Sequence, residues 1–381
     1  MKLTDSSRAG KSRRRTTVQR CIMAMAFVLV TSTITAGPIE AESGRSIQST
    51  PTPHFGVGFA RCTFVDHSRS ALNYSTTPYR AIAGGRRLVT EIRYPIQLRP
   101  GEPAESAGAT PAPRTGGYPM VVFAHGYDVT PDTYAALLDA WVRSGFVVVA
   151  PLFPDENAGE VAAQHGSNTE SDLANEPADI AFVTTSVLQG SLGKTTGCHI
   201  LNGLVNSSEV ALAGHSDGAE AIGMLAYDHG DDPQGVNYAS LRSQLSYKAV
   251  VILSGAEDTT QSYATEASRP DLLVVQSLAD QCNPMRFGVQ LYDGIHQSNK
   301  WFLELRTAHH LPPFDGVDRA AFGVVTTTTI AFLRMSLDGV SPSNSLVVLG
   351  SRRPAIARMF FGARGPSMRN LVPVSASCGP N

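Results

Sequence analysis

Short apolar runs separated by helix-length amphipathic segments dominate the middle of this chain. Met120 to Ala124, Phe146 to Ala150, Val210 to Ala213, Ala249 to Leu253 and Leu272 to Gln276 are each nearly free of polar side chains. Runs this short and this apolar predict strands covered on both faces. Arg87 to Tyr94 and Lys300 to Leu305 alternate instead, and the first reads as a half-exposed strand. Between them, Asp132 to Arg143 carries apolar residues at Tyr134, Leu137, Leu138, Trp141 and Val142, one face of a helix that Ser144-Gly145 ends. Pro177 opens a second helix with Ile180, Val183 and Val187 in register, and a third follows Ser216 to about Asp228. Arg319 to Met335 predicts a closing helix, although four threonines at 326–329 lower its propensity.

Strands alternating with helices predict an α/β fold: a mostly parallel central sheet with helices on both faces and a site at the carboxyl ends of the strands. The pattern runs as one domain over 57–340. Residues 42–56 read as a Ser/Thr/Pro-rich lead-in, 97–118 as a Pro/Gly/Ala-rich surface loop, and 341–381 as a C-terminal tail tethered through Cys378. Residues 154–176 form a polar insertion near the mouth of the expected site, a passive loop or a lid. No internal repeat is visible.

The length of 381 residues suits one large domain or two small ones, and a formal net charge of −2 offers no basic excess for nucleic acid. Its basic cluster, Arg8, Lys11, Arg13, Arg14, Arg15 and Arg20, precedes the apolar run Cys21 to Val30 and then small residues. That order reads as a secretory signal peptide over 1–41, with cleavage after Ala36 or Ala41. The apolar run is shorter than the about 20 residues a bilayer span needs, so no stable membrane span is expected after cleavage. A secreted or extracytoplasmic location then makes the remaining cysteines, Cys62, Cys198, Cys282 and Cys378, candidates for two disulfides, with three possible pairings. No cysteine or histidine spacing suits zinc, and nothing calls for a cofactor.

Candidate chemistry centres on Gly214-His215-Ser216-Asp217-Gly218, a serine between glycines after an apolar strand and before an Ala/Gly-rich helix. This is the form of a nucleophile elbow, whose strained strand-to-helix turn leaves no room for a Cβ on the flanking residues. A serine hydroxyl needs a base, a group to orient that base, and donors for the oxyanion. His310 follows the last predicted strand and is the candidate base, with His309 its rival; His296 lies at the wrong end of that strand. The side chain of His215 is expected to point away from the turn and pack against the sheet. Asp280 follows the strand Leu272 to Gln276 and is the candidate orienting acid, with Asp258 the alternative. The backbone N–H groups of Asp217 and of Tyr127, after the turn His125-Gly126, are the candidate oxyanion donors. Asp217 and Glu220 complement the dipole of the following helix and, facing the pocket, would disfavour anionic substrates.

The elbow with Ala279-Asp280 and Thr307-Ala308-His309-His310-Leu311, in the order serine, acid, histidine, resembles the α/β-hydrolase superfamily. Within it the chain is similar to cutinase-like polyesterases, dienelactone-hydrolase-like proteins and platelet-activating-factor acetylhydrolases. The histidine segment resembles the family's Gly-Ala-Ser-His-Phe, which selects His310 over His309. Val65 to Arg69 and Arg87 to Pro95 resemble the N-terminal strands of the acetylhydrolases. The resemblance covers 57–335 and implies a serine carboxylic-ester hydrolase acting on a small-molecule or lipid-like ester. An acyltransferase or peptidase with the same triad is the enzymatic alternative, and a binding protein on the same fold the other. Asp217 stands where polyesterases have methionine, and Trp141 and Trp301 fall on a helix and a strand, so neither a polyester nor a phospholipid is implied.

Overall fold

The structure is a computed structural model that describes residues 55–367, apart from 74–75, 77–79, 99–100, 102–103, 164–171, 232–234, 256–268, 341–342 and 364. The expected signal peptide, most of the lead-in, Asp258, Cys378 and the middle of the insertion lie outside the described residues.

Twelve strands form among these residues: β1 (Gly56–Asp66), β2 (Ala71–Asn73), β3 (Arg80–Ile82), β4 (Arg86–Ile96), β5 (Glu105–Ala107), β6 (Tyr118–Ala124), β7 (Val147–Leu152), β8 (Val205–His215), β9 (Ala249–Leu253), β10 (Asp271–Ser277), β11 (Lys300–Leu305) and β12 (Ala357–Phe361). Ten of them build one sheet in the order β12-β11-β10-β9-β8-β6-β7-β4-β1-β5, and β2 pairs with β3 separately. The run from β11 to β7 is parallel throughout, while β4 joins β7, β1 joins β4 and β12 joins β11 antiparallel. The helices are α1 (Ala135–Arg143), α2 (Ala158–Ala163), α3 (Glu176–Ser191), α4 (Asp217–Tyr227), α5 (Tyr238–Gln244), α6 (Met285–Gly294), α7 (Pro312–Asp315), α8 (Arg319–Leu333) and α9 (Ser343–Gly350).

Because side chains alternate along a strand, each apolar run feeds two cores at once. Met120, Val122, Val210 and Leu212 face one core, where Ile180, Val183 and Val187 of α3 and Ile222 and Leu225 of α4 cover them. Val121, Phe123, Ala211 and Ala213 face the other, under Leu137, Leu138 and Trp141 of α1 and Val325 and Phe332 of α8. The threonines of α8 are absorbed inward: Thr328 and Thr329 are buried, and Trp141 Nε1 donates to Thr329 Oγ1 at 2.9 Å. The segment Arg319–Asp338, which passes for a membrane span by length and composition, supplies Val324, Val325, Phe332 and Leu333 to this second core.

Two expectations change. The strand read as half-exposed, β4, is buried along nearly its whole length, because Arg86, Glu91 and Arg93 are neutralised by partners beneath the surface. Arg93 binds Glu91 and Asp139 at 2.6 Å each. Residues 341–381 are not merely a tail: Ala357–Phe361 extends the sheet beside β11. Alternating β11 is likewise buried, and Lys300 Nζ donates to the carbonyls of Tyr292 and Ile295, at 2.5 and 2.8 Å, while lying over the Tyr292 ring.

Cys62 of β1 is bonded to Cys198, beyond the end of α3, across 136 positions of sequence, and Cys282 is also disulfide-bonded. A loop of that length loses much chain entropy when closed in the unfolded state. Reduction of Cys62–Cys198 is therefore expected to cost about 4–5 kcal/mol. Thermal unfolding with and without dithiothreitol, alongside thiol titration, measures this; an unchanged midpoint in fully reduced protein would contradict it.

Candidate active site

The elbow forms because three segments converge more closely than side chains permit. β8 ends at His215, Ser216 takes φ 55° and ψ −123°, and α4 starts at Asp217. That conformation is strained for a serine, and strain of this kind persists only where the surroundings impose it. A Cβ on Gly214 would lie 2.4 Å from the Gly218 carbonyl oxygen, and one on Gly218 would lie 2.4 Å from the carbonyl oxygens of both Ala124 and His125. The Ser216 N–H donates to the Leu253 carbonyl at 3.1 Å, tying the turn to β9.

Ser216, His310 and Asp280 come together at the carboxyl ends of β8, β11 and β10. Ser216 Oγ lies 3.0 Å from His310 Nε2, and His310 Nδ1 lies 2.9 Å from Asp280 Oδ2. All three are buried. Asp280 also accepts the N–H groups of Cys282 and Asn283 on Oδ1, at 3.0 and 2.9 Å, and the Gln276 amide on Oδ2 at 3.3 Å. Those bonds hold the carboxylate aimed at the imidazole. The loop carrying His310 is pinned by Ser277 Oγ, which donates to the Ala308 carbonyl at 2.5 Å. His309 is exposed beside it, and His296 is exposed before β11.

Upstream, His125-Gly126 runs against Ser216: a Cβ on Gly126 would lie 3.0 Å from Ser216 Cβ. Burial pushes His125 down to about 4, so the ring is neutral at ordinary pH. Its Nδ1 lies 2.8 Å from the Gly126 carbonyl, and Nε2 accepts the Phe153 N–H at 3.1 Å, which pins this loop to the end of β7. Gly126 commits its own N–H to Tyr134 Oη at 3.3 Å, so the next N–H along the chain is that of Tyr127. The N–H of Asp217 opens α4 beside Ser216. Its carboxylate Oδ1 lies 3.5 Å from Ser216 Oγ.

One further neighbour, Asn283, was not anticipated from the sequence. Asn283 Nδ2 donates to the Ser254 carbonyl at 2.7 Å and lies 3.4 Å from Ser216 Oγ. Its only signal was closeness to Asp280 in sequence. His215, expected to point away from the turn and pack against the sheet, lies with its ring against that of His310, centroids 4.5 Å apart.

One flank of the site is acidic. Glu176, at the start of α3, is 1 % exposed and neither carboxylate oxygen has a hydrogen-bond partner. Burial, then the charges of Glu156, Asp217, Asp179 and Asp172, raise its carboxyl well above the usual range. The folded state therefore holds a proton there that the unfolded chain releases above the ordinary glutamate range. Stability is lost as pH climbs from that range toward the folded value. Glu176→Gln removes this cost, so the variant is expected to gain stability over wild type near neutral pH and to lose that advantage in acid. Urea unfolding at two pH values tests the sign. Among the described residues no three His, Cys, Asp or Glu side chains converge as a metal site would.

Comparisons with known proteins bear on the fold that carries these residues. The chlorophyllase family model matches residues 85–261, which carry the elbow and stop short of Asp280 and His310. A ferulic acid esterase from Streptomyces cinnamoneus is similar in structure, with TM-score 0.57 and 18 % identity over 82 % of this chain and 98 % of that one. No curated protein sequence matches the chain. The fold is that of the α/β-hydrolases, and the chain is similar to their serine esterases.

Proposed function

We propose that this carboxylic-ester hydrolase works through Ser216, His310 and Asp280 by way of an acyl-enzyme. Ser216 Oγ attacks the ester carbonyl while its proton passes to His310 Nε2, and the C–O bond to the alcohol breaks as His310 returns the proton to the leaving oxygen. Asp280 holds Nδ1–H in place and stabilises the imidazolium. The N–H groups of Tyr127 and Asp217 receive the tetrahedral oxyanion. Water, deprotonated by the same imidazole, then hydrolyses the acyl-enzyme.

The observation that carries this reading is the unbroken contact from Ser216 through His310 to Asp280, built on a strained turn at the strand ends. The substrate is a small-molecule or lipid-like ester. The Cys62–Cys198 disulfide and the basic-then-apolar N-terminal sequence favour an extracytoplasmic location.

Incubation with p-nitrophenyl acetate and with a fluorophosphonate is expected to give hydrolysis and covalent labelling at Ser216. Labelling elsewhere, or neither signal, would sink the proposal. His309→Ala is expected to keep wild-type activity, because the side chain is solvent-exposed and outside the contact chain.

A further inference from the structure

Four residues from separate parts of the chain meet in a line behind the catalytic groups. The Gly126 N–H donates to Tyr134 Oη at 3.3 Å, Tyr134 Oη lies 2.8 Å from His215 Nδ1, and His215 Nε2 lies 3.2 Å from the His310 carbonyl oxygen. Tyr134 is fully buried and His215 is 3 % exposed.

The direction of every proton in this line follows from the partners at its ends. A carbonyl oxygen only accepts, so His215 carries its proton on Nε2. Nδ1 of a neutral ring is then an acceptor, and Tyr134 must donate to it. The tyrosine oxygen in turn accepts the Gly126 N–H. Burial, followed by the nearby His310, pushes His215 well below the usual histidine range and keeps the ring neutral, in agreement with this arrangement. No donor or acceptor in the line is left over, so it has one proton arrangement and no competing one.

What the line connects gives it consequence. Gly126 belongs to the loop that passes over Ser216 and presents the next N–H as an oxyanion donor. His310 is the base. His215 is covalently next to the nucleophile and also packs against Phe314, with centroids 4.9 Å apart. We propose that Tyr134 and His215 are positioning residues that lock the oxyanion loop and the base-bearing loop into one frame around Ser216. The inference rests on the serine-esterase reading for its effect on rate, and on the geometry alone for the hydrogen-bonded line.

The line matters most in the transition state, when the oxyanion donors and the imidazole must be correctly placed together. Displacing a reacting group by an ångström costs about a hundredfold in rate. A histidine that merely filled the core would lower stability when replaced and leave the rate constants alone.

Tyr134→Phe removes the hydroxyl with little change of shape, and His215→Gln keeps an N–H able to reach the His310 carbonyl while losing the Nδ1 acceptor. Each is expected to lower kcat for p-nitrophenyl acetate by about tenfold to a hundredfold, with KM nearly unchanged. The double variant is expected to lose no more than the worse single, because one break already opens the line. Additive losses, or lowered melting temperatures with kcat intact, would overturn the proposal. Nitrogen-15 NMR of histidine-labelled protein supplies a readout independent of activity. His215 is expected as the neutral Nε2–H tautomer with a slowly exchanging proton, and Tyr134→Phe should move its Nδ1 resonance. A proton found on Nδ1 would also overturn it. Absence of fluorophosphonate labelling in the wild type would defeat the esterase reading while the NMR result still decides the line.

Discussion

Ser216→Ala is expected to reduce kcat for ester hydrolysis by about 10⁵-fold to 10⁶-fold, and His310→Ala by a similar factor. In the proposed mechanism the two groups perform one act, the transfer of a proton as a bond forms, so either loss removes it entirely. The double variant is expected to be no slower than either single one. Asp280→Asn should cost about 10⁴-fold, since an amide favours the wrong tautomer of His310 although the shape is kept. The remaining rate in each case comes from binding and from the oxyanion donors, which none of these changes touches. Single-turnover kinetics with intact-mass detection of the acyl-enzyme separates the effects. Retention of most of the activity in Ser216→Ala would show that another group is the nucleophile.

The largest loss of stability expected from a single substitution lies in a buried cluster of charge. Arg86 is wholly buried and binds Asp179 through Nε at 2.7 and 2.8 Å and through Nη2 at 2.6 Å, and it also pairs with Asp172. Burial alone would lower its affinity for a proton, but the charges of Asp179 and Asp172 hold it above the ordinary arginine range. Arg69 joins the same cluster, binding Asp66 at 2.8 Å and Asp179 at 2.6 Å. Arg86→Met leaves Asp172 buried without its arginine partner and Asp179 with only Arg69. Such a change is expected to cost about 3–5 kcal/mol, far more than the intact pairs contribute over an apolar core. For a domain of this size that corresponds to a fall in melting temperature on the order of 10 °C. Replacing Arg86, Asp172 and Asp179 together by apolar residues should recover much of it. A small effect of Arg86→Met alone would mean that the cluster is hydrated.

That cluster also explains where the sequence misled. Arg87 to Tyr94 reads as alternating polar with apolar, and alternation ordinarily means one wet face. Here Arg86 is paired with Asp179 of α3 and Asp172 of the insertion, and Arg93 with Asp139 of α1, all tens of residues away in sequence, while Glu91 is paired with Arg93. Periodicity cannot report a partner that only the folded chain supplies. Residues 357–361 went unread for a related reason: an edge strand is defined by the neighbour it pairs with, and its own pattern was short. The burial of Glu156, Asp172 and Glu176 likewise turns the ends of a polar insertion into interior structure.

The unbroken apolar runs were legible because both faces of a central strand are covered, whatever covers them. From this came the parallel sheet, the helices on either side and the carboxyl edge as the site. Gly214 and Gly218 were legible as well, since only glycine fits where backbones approach so closely. The order of Ser216, Asp280 and His310 along the chain followed from the same local signals. Tertiary structure alone decided that His310 meets both Ser216 and Asp280 at hydrogen-bond distance, that Cys62 pairs with Cys198, and that the His215 ring lies against that of His310. Each of these depends on distances between segments remote in sequence, and such distances are set by how the sheet and its two cores pack together.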